Sequence, residues 1–223
     1  MGSYSLSKSI DSSSTDNLGA NVANPFNLRD ERGRSDWDRR HAVAISWLWT
    51  PPIKFHSKLA NTLIGGWTIT GIHTIQSGTP LTFIYGQDVA LDGTYGYQHA
   101  LLAQGATRGN IQRDHSSRDD MIQRFFNTDA FVPVGDVPLG TYGNAGRGLI
   151  SGPALNTSDF ALLKDFMIRE PVRLQFRSEF FNAFNQVNFN NPDQAVVDLG
   201  DTFGRITSAQ PGRVIQFALK ILW

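Results

Sequence analysis

The stretch "VIQFALKILW", Val214–Trp223, decides the fold. Counting back from Trp223, every second residue (Ile221, Leu219, Phe217, Ile215) is large and apolar, and the positions between them include Lys220 and Gln216. Side chains alternate between the two faces of a β-strand, so this pattern gives one apolar and one polar side. The final indole suits a membrane–water interface, where an amphipathic ring is at home. Taken alone, the strand fits either the wall of a barrel in lipid or one sheet of a soluble sandwich.

The same period recurs upstream. In "VRLQFRSEF", Val172, Leu174, Phe176 and Phe180 alternate with Arg173, Gln175, Arg177 and Glu179. "HAVAISWLWT" sets His41, Val43, Ile45, Trp47 and Trp49 against mostly small residues, and "GWTITGIHTIQ" sets Trp67, Ile69 and Ile75 against Thr68, Thr70, Thr74 and Gln76. No segment sustains a helical period of 3.6. The reading is all-β: an antiparallel meander of about six long strands, near residues 2–9, 39–50, 65–85, 158–168, 172–185 and 212–223.

The connectors separate a barrel from a sandwich. Thr50 to Gly65 is a modest turn opened by Pro51-Pro52, and only "REP" separates Ile168 from Val172. The other loops, 10–38, 87–157 and 186–211, are long. Connections in compact soluble domains have a median of about 4–6 residues. Short turns at one end and long loops at the other describe a transmembrane β-barrel, with periplasmic turns and extracellular loops. With Trp223 at the periplasmic side, strand parity sends every long loop outside. Ile215, Phe217, Leu219 and Ile221 then face lipid, and Arg173, Arg177, Glu179 and Gln216 face the lumen as candidates for ligand contact. A charge on the lipid face would cost about 2–4 kcal/mol at the midplane. Trp47, Trp49, Trp67 and Trp223 are expected near one boundary as an aromatic belt. The alternative is a soluble β-sandwich binding or adhesion module, with those tryptophans in its core or as a sugar-stacking platform.

Composition narrows the chemistry. Lys+Arg and Asp+Glu number 20 each among 223 residues, which gives no electrostatic case for nucleic acid. Cysteine is absent, which removes disulfides, thiolate metal sites and cysteine nucleophiles. "MGSYSLSKSIDSSSTDN" has no apolar core of a signal peptide, so no leader is expected in this chain. "GNAGRG", Gly143–Gly148, lacks the strand–loop–helix setting of a phosphate loop and reads as a tight turn requiring positive φ. His41, His56, His73, His99 and His115 show no metal-ligand spacing. His99 and His115 share a loop with Asp114, Asp119 and Asp120, and Asp193, Asp198 and Asp201 lack the spacing of a calcium loop. "RDERGRSDWDRR", Arg29–Arg40, mixes signs: it fits a salt-bridged loop base or a lipopolysaccharide-facing rim better than a nucleic-acid patch, and a solvated charge run better still. No nucleophile elbow is present. The expectation is no enzyme, no cofactor and no metal.

A series of motifs resembles a known family. It comprises "LSKSIDSSS" (Leu6–Ser14), "NPFNLRDERGRSDWDRRH" (Asn24–His41), "GGWTITGIHTIQSGTPLT" (Gly65–Thr82) and "FFNTDAF" (Phe125–Phe131). "GTYGNAGRGLISGP" (Gly140–Pro153), "VRLQFRSEFFNAFNQVNFNNP" (Val172–Pro192) and "FGRITSAQPGRVIQFALKILW" (Phe203–Trp223) complete it. In this order it resembles the C-terminal barrel of Oar-like TonB-dependent receptors, outer-membrane proteins of Acidobacteria and related Gram-negative bacteria. The resemblance implies a parent with a signal peptide, a plug and a barrel of about 22 strands, of which this chain carries the last six. It also implies contact with the TonB system only through the plug, and uptake of a large ligand such as a glycan, peptide or chelate. Phe217, Leu219, Ile221 and Trp223 resemble the signal read by the outer-membrane assembly machinery.

Overall fold

A computed structural model describes residues 1–14, 22–93, 97–195 and 202–223. Its strands are β1 (Gly2–Leu6), β2 (Ile10–Asp11), β3 (Gly33–Arg34), β4 (His41–Trp49), β5 (Trp67–Gln76), β6 (Pro80–Leu81), β7 (Ile150–Ser151), β8 (Leu155–Arg169), β9 (Val172–Phe181) and β10 (Val214–Leu222). Short α-helices occupy Lys58–Ile64 (α1), Arg108–Ile111 (α2) and Arg118–Gln123 (α3). Six strands form one sheet in the order β1-β4-β5-β8-β9-β10, all antiparallel, and β2–β3 and β6–β7 are separate two-stranded ladders. The meander of six long strands is therefore present. Among the described residues no helix is long and apolar enough to cross a membrane.

The register sorts the faces. Trp67 pairs with Lys164, Lys164 with Phe176, and Phe176 with Leu219. Following such rows, one face carries Tyr4, Val43, Ile45, Trp47, Trp49, Trp67, Ile69, Phe160, Leu162, Leu174, Phe176, Phe180, Ile215, Phe217, Leu219 and Ile221, interrupted by His73, Asn156, Ser158, Lys164 and Ser178. The other carries Thr68, Thr70, Thr74, Gln76, Asp159, Asp165, Arg173, Gln175, Arg177, Glu179, Gln216 and Lys220, interrupted by Leu48, Ile72, Leu163 and Met167 and, toward the strand ends, by Leu155, Phe181, Val214 and Leu222. The apolar face is laced by rings: Trp47 on Phe160 at 5.8 Å, Trp67 on Phe176 at 6.0 Å and Phe176 on Phe217 at 6.2 Å.

Trp47 reaches Phe160 across Gly71, which lies between them in the register. A Cβ on Gly71 would sit 2.5 Å from the Trp47 ring. Gly71→Val is expected to push the indole aside and to destabilise the sheet by about 1–3 kcal/mol, the usual effect of overpacking. Urea unfolding of the protein in lipid vesicles measures this, and an unchanged midpoint would mean that the ring ladder contributes nothing.

Several sequence-based expectations are corrected. The sandwich alternative fails because, among the described residues, no second sheet covers the apolar face: Phe217 and Leu219 are 70% and 68% exposed. The strand expected over 65–85 ends at Gln76, and residues 77–85 leave the sheet; Phe83 and Tyr85 are fully buried elsewhere. The strand expected over 172–185 stops at Phe181, because Asn182 turns to φ 47° and its side chain brackets the backbone of Gln186. Asparagine tolerates that left-handed conformation better than most residues. The first strand ends at Leu6, not residue 9, and β8 runs longer than expected, from Leu155 to Arg169. The Thr50–Gly65 turn contains α1.

The largest correction concerns the long loops, whose apolar residues carry no period. They fold. Leu81, Phe83, Tyr85, Val89, Ala100, Ile111, Phe126, Phe131, Ile150 and Phe203 form a buried cluster, drawn from residues 77–154 between β5 and β8 and, through Phe203, from the third long loop. Phe83, Phe126, Phe131 and Phe203 interlock with ring centroids 4.4 to 6.4 Å apart. Tyr85 donates its hydroxyl hydrogen to Val132 O and accepts from Leu101 N. Among the described residues the hydrophobic core lies in the loops, and of the six-stranded sheet only Ala161 is a buried apolar residue.

Candidate functional site

The loops meet around Arg147. The preceding "GNAGRG" run is a turn at one position only: Gly148 has φ 59°, while Gly143 and Gly146 do not have positive φ. A Cβ on Gly148 would also lie 2.6 Å from the Cβ of Arg34. The tight turn drives Arg147 into the first long loop, where it is 7% exposed. Its Nη1 donates to Asp11 Oδ1 at 2.6 Å and to the carbonyls of Asp11 and Glu31 at 3.3 Å. Its Nη2 donates to Ser14 Oγ at 2.8 Å and lies 3.7 Å from Asp36. A buried guanidinium is tolerable only with partners this numerous. Beside it, Arg34 Nε meets the buried Asp38 carboxylate at 2.9 Å, and Glu31 and Ser35 are buried too, so the Arg29–Arg40 run is not the solvated charge run expected but in part a salt-bridged loop base.

Glu31 and His99 are both almost fully buried, with His99 Nε2 3.9 Å from Glu31 Oε2, and Glu31 Oε1 accepting from Ala23 N. These residues, with Asp36, Thr79, Thr82, Tyr97, Arg147, Asn191 and Gln194, line a cavity of about 330 Å³. Burial raises the Glu31 pKa against the pull of the Ala23 N–H and the Arg147 charge. Burial, helped by Arg147, pushes His99 down to about 4, so the imidazole is neutral at pH 7. For Asp11, burial pulls upward but is outweighed by hydrogen bonds from Ser35, Ser14 and Arg147, and its pKa is lowered. The wall offers hydroxyls, amides, a neutral imidazole, carboxyl groups and one phenol, which suits a small polar group or one residue of a larger ligand.

The His99 shift sets a pH window. The folded state holds His99 neutral while the unfolded chain takes up a proton below about 6.5, so stability falls as pH drops from 6.5 toward 4. The loss is expected to approach about 3 kcal/mol in the loops. Amide exchange at pH 7 and pH 5 measures it. His99→Gln should flatten the response, and an unchanged slope in that variant would assign it elsewhere.

The lumen candidates divide. Arg177 Nη2 meets Glu179 Oε1 at 2.5 Å and Gln216 Nε2 donates to Glu179 Oε2, so these three converge on the polar face. Arg173 shares the face but stands apart, opposite Leu222. Phe217, Leu219 and Ile221 share the apolar face of β10, an end strand of the sheet, and Trp223 follows directly and is exposed. Trp49 and Trp67 lie at the short-turn ends of their strands, while Trp47 sits further in, opposite Gly71.

Among the described residues, the His99, His115, Asp114, Asp119 and Asp120 set does not gather into a metal site. His115 hydrogen-bonds Phe125 O and stacks on the Phe125 ring; Ser117 caps α3 by accepting from Asp120 N, and the Asp120 carboxylate accepts from Ser116 N. Asp193 accepts from Thr202 and Ala195; Asp198 and Asp201 lie outside the described residues. Among the described residues no three His, Asp or Glu side chains converge as a metal site. No local pattern joins Arg147 to Glu31 and Asp11, which lie 116 and 136 residues from it along the chain. The available signal was a single arginine inside a glycine-rich turn.

No curated protein and no solved structure matches this chain. The model of the outer membrane beta barrel domain family matches residues 1–216, so the chain belongs to that family and its place is the outer membrane.

Proposed function

We propose that the chain is the C-terminal part of the barrel wall of an Oar-like TonB-dependent receptor that binds and takes up a large ligand such as a glycan, peptide or chelate. The observation that carries this is the polar cavity held by Glu31, His99 and Arg147 in folded loops, at the end of the sheet opposite the short turns. In this reading the long loops are extracellular, the apolar face meets lipid and the Arg177–Glu179–Gln216 cluster lines the lumen. Phe217, Leu219, Ile221 and Trp223 present the strand to the assembly machinery. Coupling to TonB belongs to a plug domain outside these residues, so the chain does not transport alone and carries no catalytic step.

The test uses the complete receptor in its native membrane. Cells are offered pools of fluorescent oligosaccharides, peptides and metal chelates, and uptake is compared with and without a protonophore. One ligand class should accumulate, only in energised cells, and Thr82→Trp, which fills the cavity, should reduce binding at least about tenfold (about 1.4 kcal/mol). Uptake that persists in de-energised cells would make the protein a diffusion pore and end the receptor reading.

A further inference from the structure

The short-turn end carries a second site. The register places Trp67, Ile69 and Leu162 on the apolar face of the sheet. Together with Pro51, Ile53 and Ile64 from the β4–β5 connector, they line a cleft of about 260 Å³. The connector therefore does not hang below the barrel end. It folds outward, over the face that meets lipid. Two contacts hold it there: Trp67 Nε1 donates to Leu63 O at 3.1 Å, and the Lys164 ammonium donates to Gly65 O.

Lys164 marks the depth. It pairs with Trp67 on the apolar face, where a charge in hydrocarbon is expensive. Its stem is covered, and its ammonium lies 5.6 Å from the Trp67 ring and 5.5 Å from the Phe166 ring before reaching the connector carbonyl. This is a lysine snorkelling toward the polar boundary, so the connector lies at the level of the headgroups. The connector is built for that level. Ile53, Phe55, Leu59, Leu63 and Ile64 are all exposed, a run of apolar surface continuous with the sheet face. Lys54 beside it is exposed and forms no hydrogen bond or ion pair with any described residue.

We infer that the Pro51–Gly66 connector lies in the membrane interface at the short-turn end, and that its cleft seats one acyl chain of a phospholipid whose phosphate meets Lys54. Apolar walls on every side accept the chain, and the neighbouring cation accepts the headgroup. The site rests on the membrane placement of the apolar face and is independent of the receptor reading.

Photo-crosslinking tests it. The full protein is placed in nanodiscs of phosphatidylethanolamine and phosphatidylglycerol whose acyl chains carry a diazirine, irradiated, and mapped by peptide mass spectrometry. Adducts should concentrate on Ile53, Ile64 and Trp67, several-fold above those on Phe217 and Leu219. Ile64→Trp, which fills the cleft, should reduce them several-fold and leave the Phe217 adducts unchanged. Lys54→Glu, at an exposed position with no partner to lose, should also reduce them if Ile64→Trp fails to insert. Adducts spread evenly over the apolar face, or insensitive to either variant, would reduce the site to ordinary annular lipid. Absence of adducts from residues 51–66 would place the connector in water. Each of these results overturns the proposal.

Discussion

Phe83→Ala is expected to melt the loop lobe and to leave the six-stranded sheet in the membrane. Phe83 is fully buried and touches three other rings, those of Phe126, Phe131 and Phe203. Truncating a buried phenylalanine removes its transfer energy and leaves a cavity, about 3–5 kcal/mol together. A lobe of short helices and two-residue ladders has little regular hydrogen bonding to hold it once the cluster opens. Amide exchange should therefore rise across residues 79–153, while exchange in β8 and β9 stays slow. The cavity at Glu31 and His99 should be lost with the lobe, because Thr82, Tyr97 and His99 depend on this packing. Coordinated loss of protection in the sheet would show that lobe and wall fold as one unit.

The second large effect concerns β10. Phe217→Arg is expected to cost about 2–4 kcal/mol and to lower the yield of inserted protein, whereas Gln216→Arg should be tolerated. Phe217 lies six residues before Trp223, about 20 Å along a strand at about 3.3 Å per residue. With the strand tilted by about 45°, this is about 14 Å of depth, close to the midplane. Gln216 points the other way, toward Glu179, where an added guanidinium finds a carboxylate. Equilibrium folding into vesicles of both variants measures the difference. Equal costs would mean that the two faces of β10 see the same environment.

These predictions also show what the sequence discloses. Alternation is local, so Ile215, Phe217, Leu219 and Ile221 could be placed on one face from four residues alone, and the register confirms the same for Val43, Trp47, Trp67 and Phe176. Charge on the opposite face carried the Arg177–Glu179–Gln216 cluster as far as a shared side, although not its contacts. The loop core was illegible for a physical reason. Phe83, Phe126, Phe131 and Phe203 belong to irregular backbone with no period, and their contacts close over gaps of up to 120 residues, from Phe83 to Phe203. Long-range closure leaves no local trace. The Arg147 cluster was hidden in the same way, and α1 was too short for a helical period to declare itself.

The central claim is that β9 and β10 have one face in lipid and the other in water. The chain has no cysteine, so single-cysteine variants give a clean reporter at each position from Val214 to Leu222. Each is spin-labelled in the membrane-inserted protein, and collision with oxygen is compared with collision with a water-soluble nickel complex. The account predicts a period of two: Ile215, Phe217, Leu219 and Ile221 favour oxygen, and Gln216, Ala218 and Lys220 favour nickel. Uniform access of the nickel complex to all nine positions, or no alternation at all, would contradict it.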